Sequence, residues 1–164
     1  MKLLAPRHHV MGECCTSYTI MYFALALVFL LSVCKSLDAC TCLPAHPQTH
    51  YCKSDYVLLV KVKHSKIVPS TYGDAQMIHV KVKKTFKESK KSKLALKRGQ
   101  MWSAKDDGLC GVDLRPNVKY LVTGRVDAGK AFISSCNYYQ EWSKLTTKQK
   151  KGFRLLYQQG CECK

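Results

Sequence analysis

The sequence predicts a mainly β protein: a small, closed barrel of five or so strands with a C-terminal helix, stapled by disulfides. Three observations point there. Short runs of β-branched and alternating residues recur between Tyr56 and Ser135, separated by turn-forming residues. A capping-box pattern, Thr146-x-x-Gln149, opens a helical stretch only near the end. Cysteines flank the strand region on both sides, a pattern that staples small extracellular folds.

The chain starts with a segment of a different kind. Ile20 to Leu31 reads IMYFALALVFLL, an apolar run of signal-peptide length and short for a membrane-crossing helix. Lys2 and Arg7 precede it, with Met11 or Met21 as other starts. Small Ala39 suits the position before a cut, while Leu37 fits the small-x-small pattern poorly. Residues 1–39 are therefore read as a signal peptide and 40–164 as one secreted domain. An uncleaved signal anchor and a lipoprotein acceptor at Leu37-Asp38-Ala39-Cys40 are the other readings. Asp38 and the cysteine-rich chain beyond stand against the second. A cut after Ala39 would make Cys40 the first residue, with a free α-amine.

The expected domain of 125 residues supports a modest core. Its seven cysteines suggest three bridges and one unpaired thiol, and six paired cysteines allow fifteen connectivities, among which the spacing does not choose. Each bridge contributes about 2 to 4 kcal/mol by restricting the unfolded chain. Residues 40–164 hold 24 Lys and Arg against 9 Asp and Glu, about +15. Such a field attracts polyanions, which for a secreted protein means sulfated glycosaminoglycans or anionic matrix and cell surfaces, not nucleic acid. A merely solubilising basic surface is the plainer alternative.

In order, Pro44, His46 and Pro47 make a stiff lead-in and Gln48 to Cys52 a helical turn. Tyr56 to Val62 is a strand buried at its start and alternating at its end; His64 to Gln76 reads as a loop. Ile78, Val80 and Val82 point one way along the next strand, with His79, Lys81 and Lys83 opposite. The lysine run from Lys84 to Arg98 reads as a solvated loop, with a glycan contact as the sharper reading. Gln100 to Ala104 is a strand, followed by a turn at Lys105-Asp106-Asp107-Gly108. Lys119 to Arg125 and Ala131 to Ser135 form a hairpin across Asp127 to Lys130. The final helix places Phe153, Leu156 and Tyr157 on one face and ends at Gly160. Such a set suits a barrel of the OB type.

Catalytic chemistry is hard to find. His46 and His50 have the spacing of a helical zinc pair, but Pro47 lies between them and no third ligand is evident. No HExxH, GxSxG or P-loop occurs. The α-amine of Cys40 is another matter. A terminal amine titrates near about 7.7 to 8.0, so part of it is neutral near pH 7. With the carbonyl oxygen of the same residue it can close a five-membered chelate on a zinc ion held by another protein.

CTCLPAHPQTHYC, from Cys40 to Cys52, resembles the start of the mature tissue inhibitors of metalloproteinases. Tyr72-Gly73, the KTFK of Lys84 to Lys87, Cys110-Gly111-Val112, WSKLTTKQKKGF from Trp142 to Phe153 and GCECK from Gly160 to Lys164 are similar to that family in order and spacing. The resemblance implies a netrin-type, OB-like barrel bridged Cys40–Cys110, Cys42–Cys136 and Cys52–Cys161, with Cys163 unpaired. It implies no cofactor beyond the zinc of a target metalloproteinase, chelated by the Cys40 amine and carbonyl. Thr41 would enter the specificity pocket, Cys42, Leu43 and Pro44 would lie along the cleft, and Asp107, Gly108, Leu109 and Cys110 would flank it. A netrin-like glycosaminoglycan-binding module without inhibitory activity is the alternative.

Departures from the family pattern are visible. Asp106-Asp107-Gly108-Leu109 stands where small or β-branched residues are usual, and Glu141 where proline is frequent. Cys163 matches a cysteine that pairs with a second domain in longer members. The loop before Gln76 is expected to be shorter than in some members.

Overall fold

The computed structural model describes residues 14–33, 40–69 and 74–161, within two units, Met1–Asp38 and Ala39–Lys164. In the first, helix α1 spans Cys14–Val33, and Phe23 and Val28 are exposed. Among the described residues no helix is long and apolar enough to cross a membrane.

In the second unit, β1 (Tyr56–Val68) and β2 (Ala75–Glu88) pair antiparallel. β2 continues antiparallel to β3 (Gln100–Ala104), which runs parallel to β5 (Lys130–Phe132). β5 returns antiparallel to β4 (Lys119–Asp127), and β4 pairs with β1 from Lys119 to Gly124, so the sheet closes on itself. Closure leaves the ring without an open edge. β6 (Tyr139–Glu141) adds to β4 at Tyr120–Val122 as a sixth strand, too short to show a period in the sequence. With its C-terminal helix and three bridges this is the expected OB-like barrel.

Alternation along β1 sends residues to two cores. Tyr56, Leu58, Val60 and Val62 enter the barrel interior with Ile78, Met101, Val122 and Ile133. Val57 points the other way, to a second core with Tyr51, Leu121, Leu145 and Phe153. The start of β1 is buried throughout because both faces are covered. Each such side chain contributes roughly 1.5 to 3 kcal/mol on burial.

A helix, α2 (Pro47–Lys53), and the π turn that follows the last α-helix cover the second core. α2 has proline in its first turn, and the His46 ring accepts from the Gln48 amide at 3.2 Å at its N-cap. At its other end Lys87 Nζ donates to the Tyr51 and Cys52 carbonyls at 2.9 and 2.8 Å, a cation on the negative end of the helix. α3 is Lys90–Ala95, and α4 (Thr147–Lys151) begins in the expected Thr146/Gln149 capping box. α4 runs on into a π turn at Gly152–Leu156, closed by the Tyr157 amide on the Gly152 carbonyl at 2.9 Å. The wider turn breaks the 3.6-residue register. Phe153 is buried, but Leu156, expected beside it, is 50% exposed.

Other expectations are corrected. The loop expected from His64 to Gln76 is mostly strand: pairing continues from His64 opposite His79 to Val68 opposite Ala75. The β1 half of this ribbon, Lys63 to Ile67, is exposed on both faces and so lacks apolar alternation; Tyr72 and Gly73 lie outside the described residues. The lysine-rich loop from Lys84 to Arg98 is instead the end of β2 and then α3, opened by a Ser89/Ser92 capping box. Val82, expected inside with Ile78 and Val80, is 38% exposed beside a register shift between Leu59 and Val60. The strand expected from Ala131 to Ser135 stops at Phe132.

Candidate functional site

Residues Cys40 to His46 have no regular secondary structure, and two disulfides fix their start. Of the fifteen connectivities, the structure holds Cys40–Cys110, Cys42–Cys136 and Cys52–Cys161, with Cα separations of 5.2, 5.1 and 5.3 Å. The first two tether one short segment to two different loops; the third ties α2 to the last 3-10 turn, Gln159–Cys161. Cys163 lies outside the described residues.

Each receiving loop is locally rigid. Asp107–Leu109 forms a 3-10 turn, and Cys110 ends it in the left-handed region at φ 59°. Gly111 follows with its amide on the Asp106 carbonyl at 3.1 Å. A Cβ there would come within 2.6 Å of the Ala104 carbonyl oxygen, so the close approach requires glycine. The Val112 amide then donates to the buried Ser103 hydroxyl at 3.1 Å. In the second loop the Asn137 side-chain oxygen accepts from the Ser134 amide at 2.8 Å, holding the turn that carries Cys136. The Ser135 amide donates to the Cys110 carbonyl at 2.9 Å, joining the two loops.

The structure thus brings the Cys40–Pro44 segment beside the Asp107–Cys110 turn. Thr41, Pro44, Asp107 and Gly108 are exposed, Leu43 is 88% exposed and Leu109 54%. Cys40, Cys42 and Cys110 are half-buried. Cavities flank the bridges. One of about 510 Å³ touches Leu109, Cys110 and Cys136, and another of about 310 Å³ touches Thr41, Cys42 and Leu43; Arg125 lines both. His50 and Lys53 also line the second, and burial, then the nearby Lys53 charge, holds the His50 imidazole below its ordinary pKa. Arg125 and Lys53 put two basic side chains at the edge of this site.

Sequence reading passed over Ser103, Arg125, Ser135 and Asn137. Ser134-Ser135-Cys136-Asn137 has turn composition, which could have ended the strand earlier. Arg125 and Ser103 carry no local signal, because their roles come from barrel closure. Glu141 pairs with Arg115, and with Lys144 at 3.3 Å, which accounts for a charge at that position.

Fold and site define a class: a disulfide-stapled, OB-like barrel that displays a doubly tethered, exposed segment at the head of its domain. Comparison with known proteins gives the family. Residues 38–164 match the sequence model of the family described as tissue inhibitor of metalloproteinase, and the chain belongs to it. Among its relatives are Metalloproteinase inhibitor 3 of Xenopus laevis, 36% identical over 139 residues that cover 84% of this chain and 64% of that one. Metalloproteinase inhibitor 2 of Homo sapiens is 35% identical over 150 residues, covering 86% and 66%. Tissue inhibitor of metalloproteinase of Drosophila melanogaster is 33% identical over 133 residues, covering 79% and 59%. The chain spans less than two thirds of the length of these relatives.

Proposed function

We propose that this chain is a secreted protein inhibitor of zinc metalloendopeptidases, of the matrix metalloproteinase type, and not an enzyme. Residues 1–39 act as a signal peptide, and cleavage after Ala39 frees the Cys40 amine. The observation that carries the reading is the pinning of Cys40 and Cys42 to two interlocked loops while Thr41, Leu43 and Pro44 stand in solvent.

A segment held this way has little conformational entropy left to lose on docking into a cleft. In this mechanism the Cys40 amine and carbonyl chelate the zinc of the target and take the position of its water. Thr41 fills the specificity pocket, Leu43 and Pro44 lie along the cleft, and Asp107 to Cys110 border it. No scissile bond sits over the metal, so the protease cuts nothing. The metal belongs to the target and the chain contributes no cofactor.

The test is N-terminal sequencing of the secreted protein combined with titration of an active matrix metalloproteinase. Cys40 should be the first residue, and one alanine added before it should abolish inhibition, since an acylated amine cannot chelate. Full inhibition by the extended form would sink the mechanism.

A second reading has its own support. Lys63, Lys66, Lys81, Lys83 and Lys84 are exposed on the β1–β2 ribbon, and Lys90, Lys91 and Lys93 on α3. This basic surface suits sulfated glycosaminoglycans of the matrix. Salt-sensitive retention on heparin, lost when the ribbon lysines are replaced, is its expected signature.

A further inference from the structure

We propose that the reduced chain carries a zinc site built from Cys40, Cys42, Cys110 and Cys136. The four sulfurs lie within 4.8 Å of one another. Between the two bridges, the Sγ atoms of Cys40 and Cys42 are 3.9 Å apart, Cys40 and Cys136 4.0 Å, and Cys110 and Cys136 3.8 Å. A zinc ion with four thiolates at about 2.3 Å in a tetrahedron needs sulfurs roughly 3.8 Å apart. Three of the four cross-bridge distances already match the edges of that tetrahedron. Reduction would have to open each bonded pair to the same separation, which supplies two of the remaining edges.

The surroundings suit a tetrathiolate. Ser135 Oγ lies 3.3 Å from the Cys40 sulfur and 4.0 Å from that of Cys42, in reach to donate to a thiolate. Arg125 and Lys53 line the cavity touching Cys42 and Cys136 and offset the negative charge. The four ligands come from three separate segments held by the barrel, so the site forms only in the folded chain.

The chemistry balances. A phosphine or dithiol reductant supplies two electrons to each disulfide, and two protons complete each pair of thiols. One zinc ion then displaces four thiol protons, leaving a complex of net charge −2. This state is distinct from the inhibitory form, which needs the bridges intact, and belongs to the chain before oxidation or after reduction. Zinc would hold the Cys40–Cys42 segment and its two receiving loops near their oxidised geometry.

Cobalt(II) is the probe. The full chain reduced with a phosphine and titrated with cobalt should bind one ion per chain, with sulfur-to-cobalt charge-transfer absorption and the visible bands of tetrahedral cobalt, both lost when zinc is added. Maleimide labelling and peptide mass mapping of the zinc form should find Cys40, Cys42, Cys110 and Cys136 protected while Cys52 and Cys161 react. C52A/C161A should keep the absorption and C42S/C136S should lose it. Absence of the bands in the reduced chain, from unfolding or otherwise, overturns the proposal. So does protection centred on Cys52 and Cys161, or a tetrahedral signal that survives in C42S/C136S.

Discussion

The Val112 amide donates to the Ser103 hydroxyl at 3.1 Å, and Ser103 is 1% exposed. This bond anchors the chain just beyond Cys110 to β3, so the barrel wall holds the loop that receives the first disulfide. Ser103→Ala leaves a buried amide without its acceptor. The expected loss is about 1 to 3 kcal/mol of unfolding free energy, read from denaturant midpoints. A loss below about 0.5 kcal/mol would show that the loop is held by other contacts.

Gly111 and Gly108 sit in the same loop and should respond oppositely to alanine. At Gly111 the new Cβ meets the Ala104 oxygen at 2.6 Å and the Asp106 oxygen at 2.9 Å, both backbone atoms. Gly111→Ala should therefore cost about 1 to 3 kcal/mol and loosen Cys110. Gly108 has nothing within 4 Å, so Gly108→Ala should stay within about 0.5 kcal/mol. Equal effects from the two variants would contradict the packing described.

The balance between what could and could not be read from the chain follows from where each signal resides. Tyr56 to Val62, Gln100 to Ala104 and the Thr146/Gln149 cap were legible because their periods and capping residues are local. The extension of β1 and β2 beyond His64 and Gln76 was not. Lys63 to Ile67 of β1 meet water on both faces, which imposes no apolar alternation, and pairing with β2 supplies the order instead. At the site, Cys40 to Pro44 stood out by composition, and a family resemblance supplied the bridge pairing. Arg125 and Ser103 were invisible, since only the closure of β4 and β3 into the ring brings them beneath the bridges.

His79 stacks on His64 across the ribbon with ring centroids 4.4 Å apart. Burial, then His64, Lys66 and Lys63, hold its pKa below the ordinary 6.5. The folded chain then binds fewer protons than the unfolded one between that lowered pKa and about 6.5, so stability rises with pH in this window. The contribution is complete above about pH 6.5 and is lost as pH falls through the folded pKa. Unfolding midpoints of the native chain should drop between pH 7.5 and 5.5, and His79→Gln should flatten part of that drop. An unchanged slope in the variant would remove His79 from the account.

Cys52–Cys161 spans 109 residues of sequence and braces the second core instead of the displayed segment. Replacing both cysteines with alanine should cost about 2 to 5 kcal/mol of stability. Metalloproteinase inhibition, measured below the lowered melting temperature, should persist. Removing Cys42 and Cys136 together should weaken inhibition even where the fold survives, because the segment then docks as a flexible chain. If the Cys52/Cys161 variant loses inhibition while folded, the bridge does more than brace the core.

Leu43 is 88% exposed, and its apolar side chain gains nothing from the fold. Leu43→Ala should therefore leave unfolding free energy within about 0.5 kcal/mol of the native value. Docked along a cleft, the same side chain would leave water, a gain of roughly 1.5 to 3 kcal/mol. Inhibition should then weaken by about 10- to 100-fold, since each 1.4 kcal/mol is tenfold in affinity. The loss should appear in the dissociation rate, because removing an uncharged contact does not alter diffusional encounter. Equal inhibition by the native and Leu43→Ala chains would place Leu43 outside the contact and move the docking surface towards Leu109 and its turn.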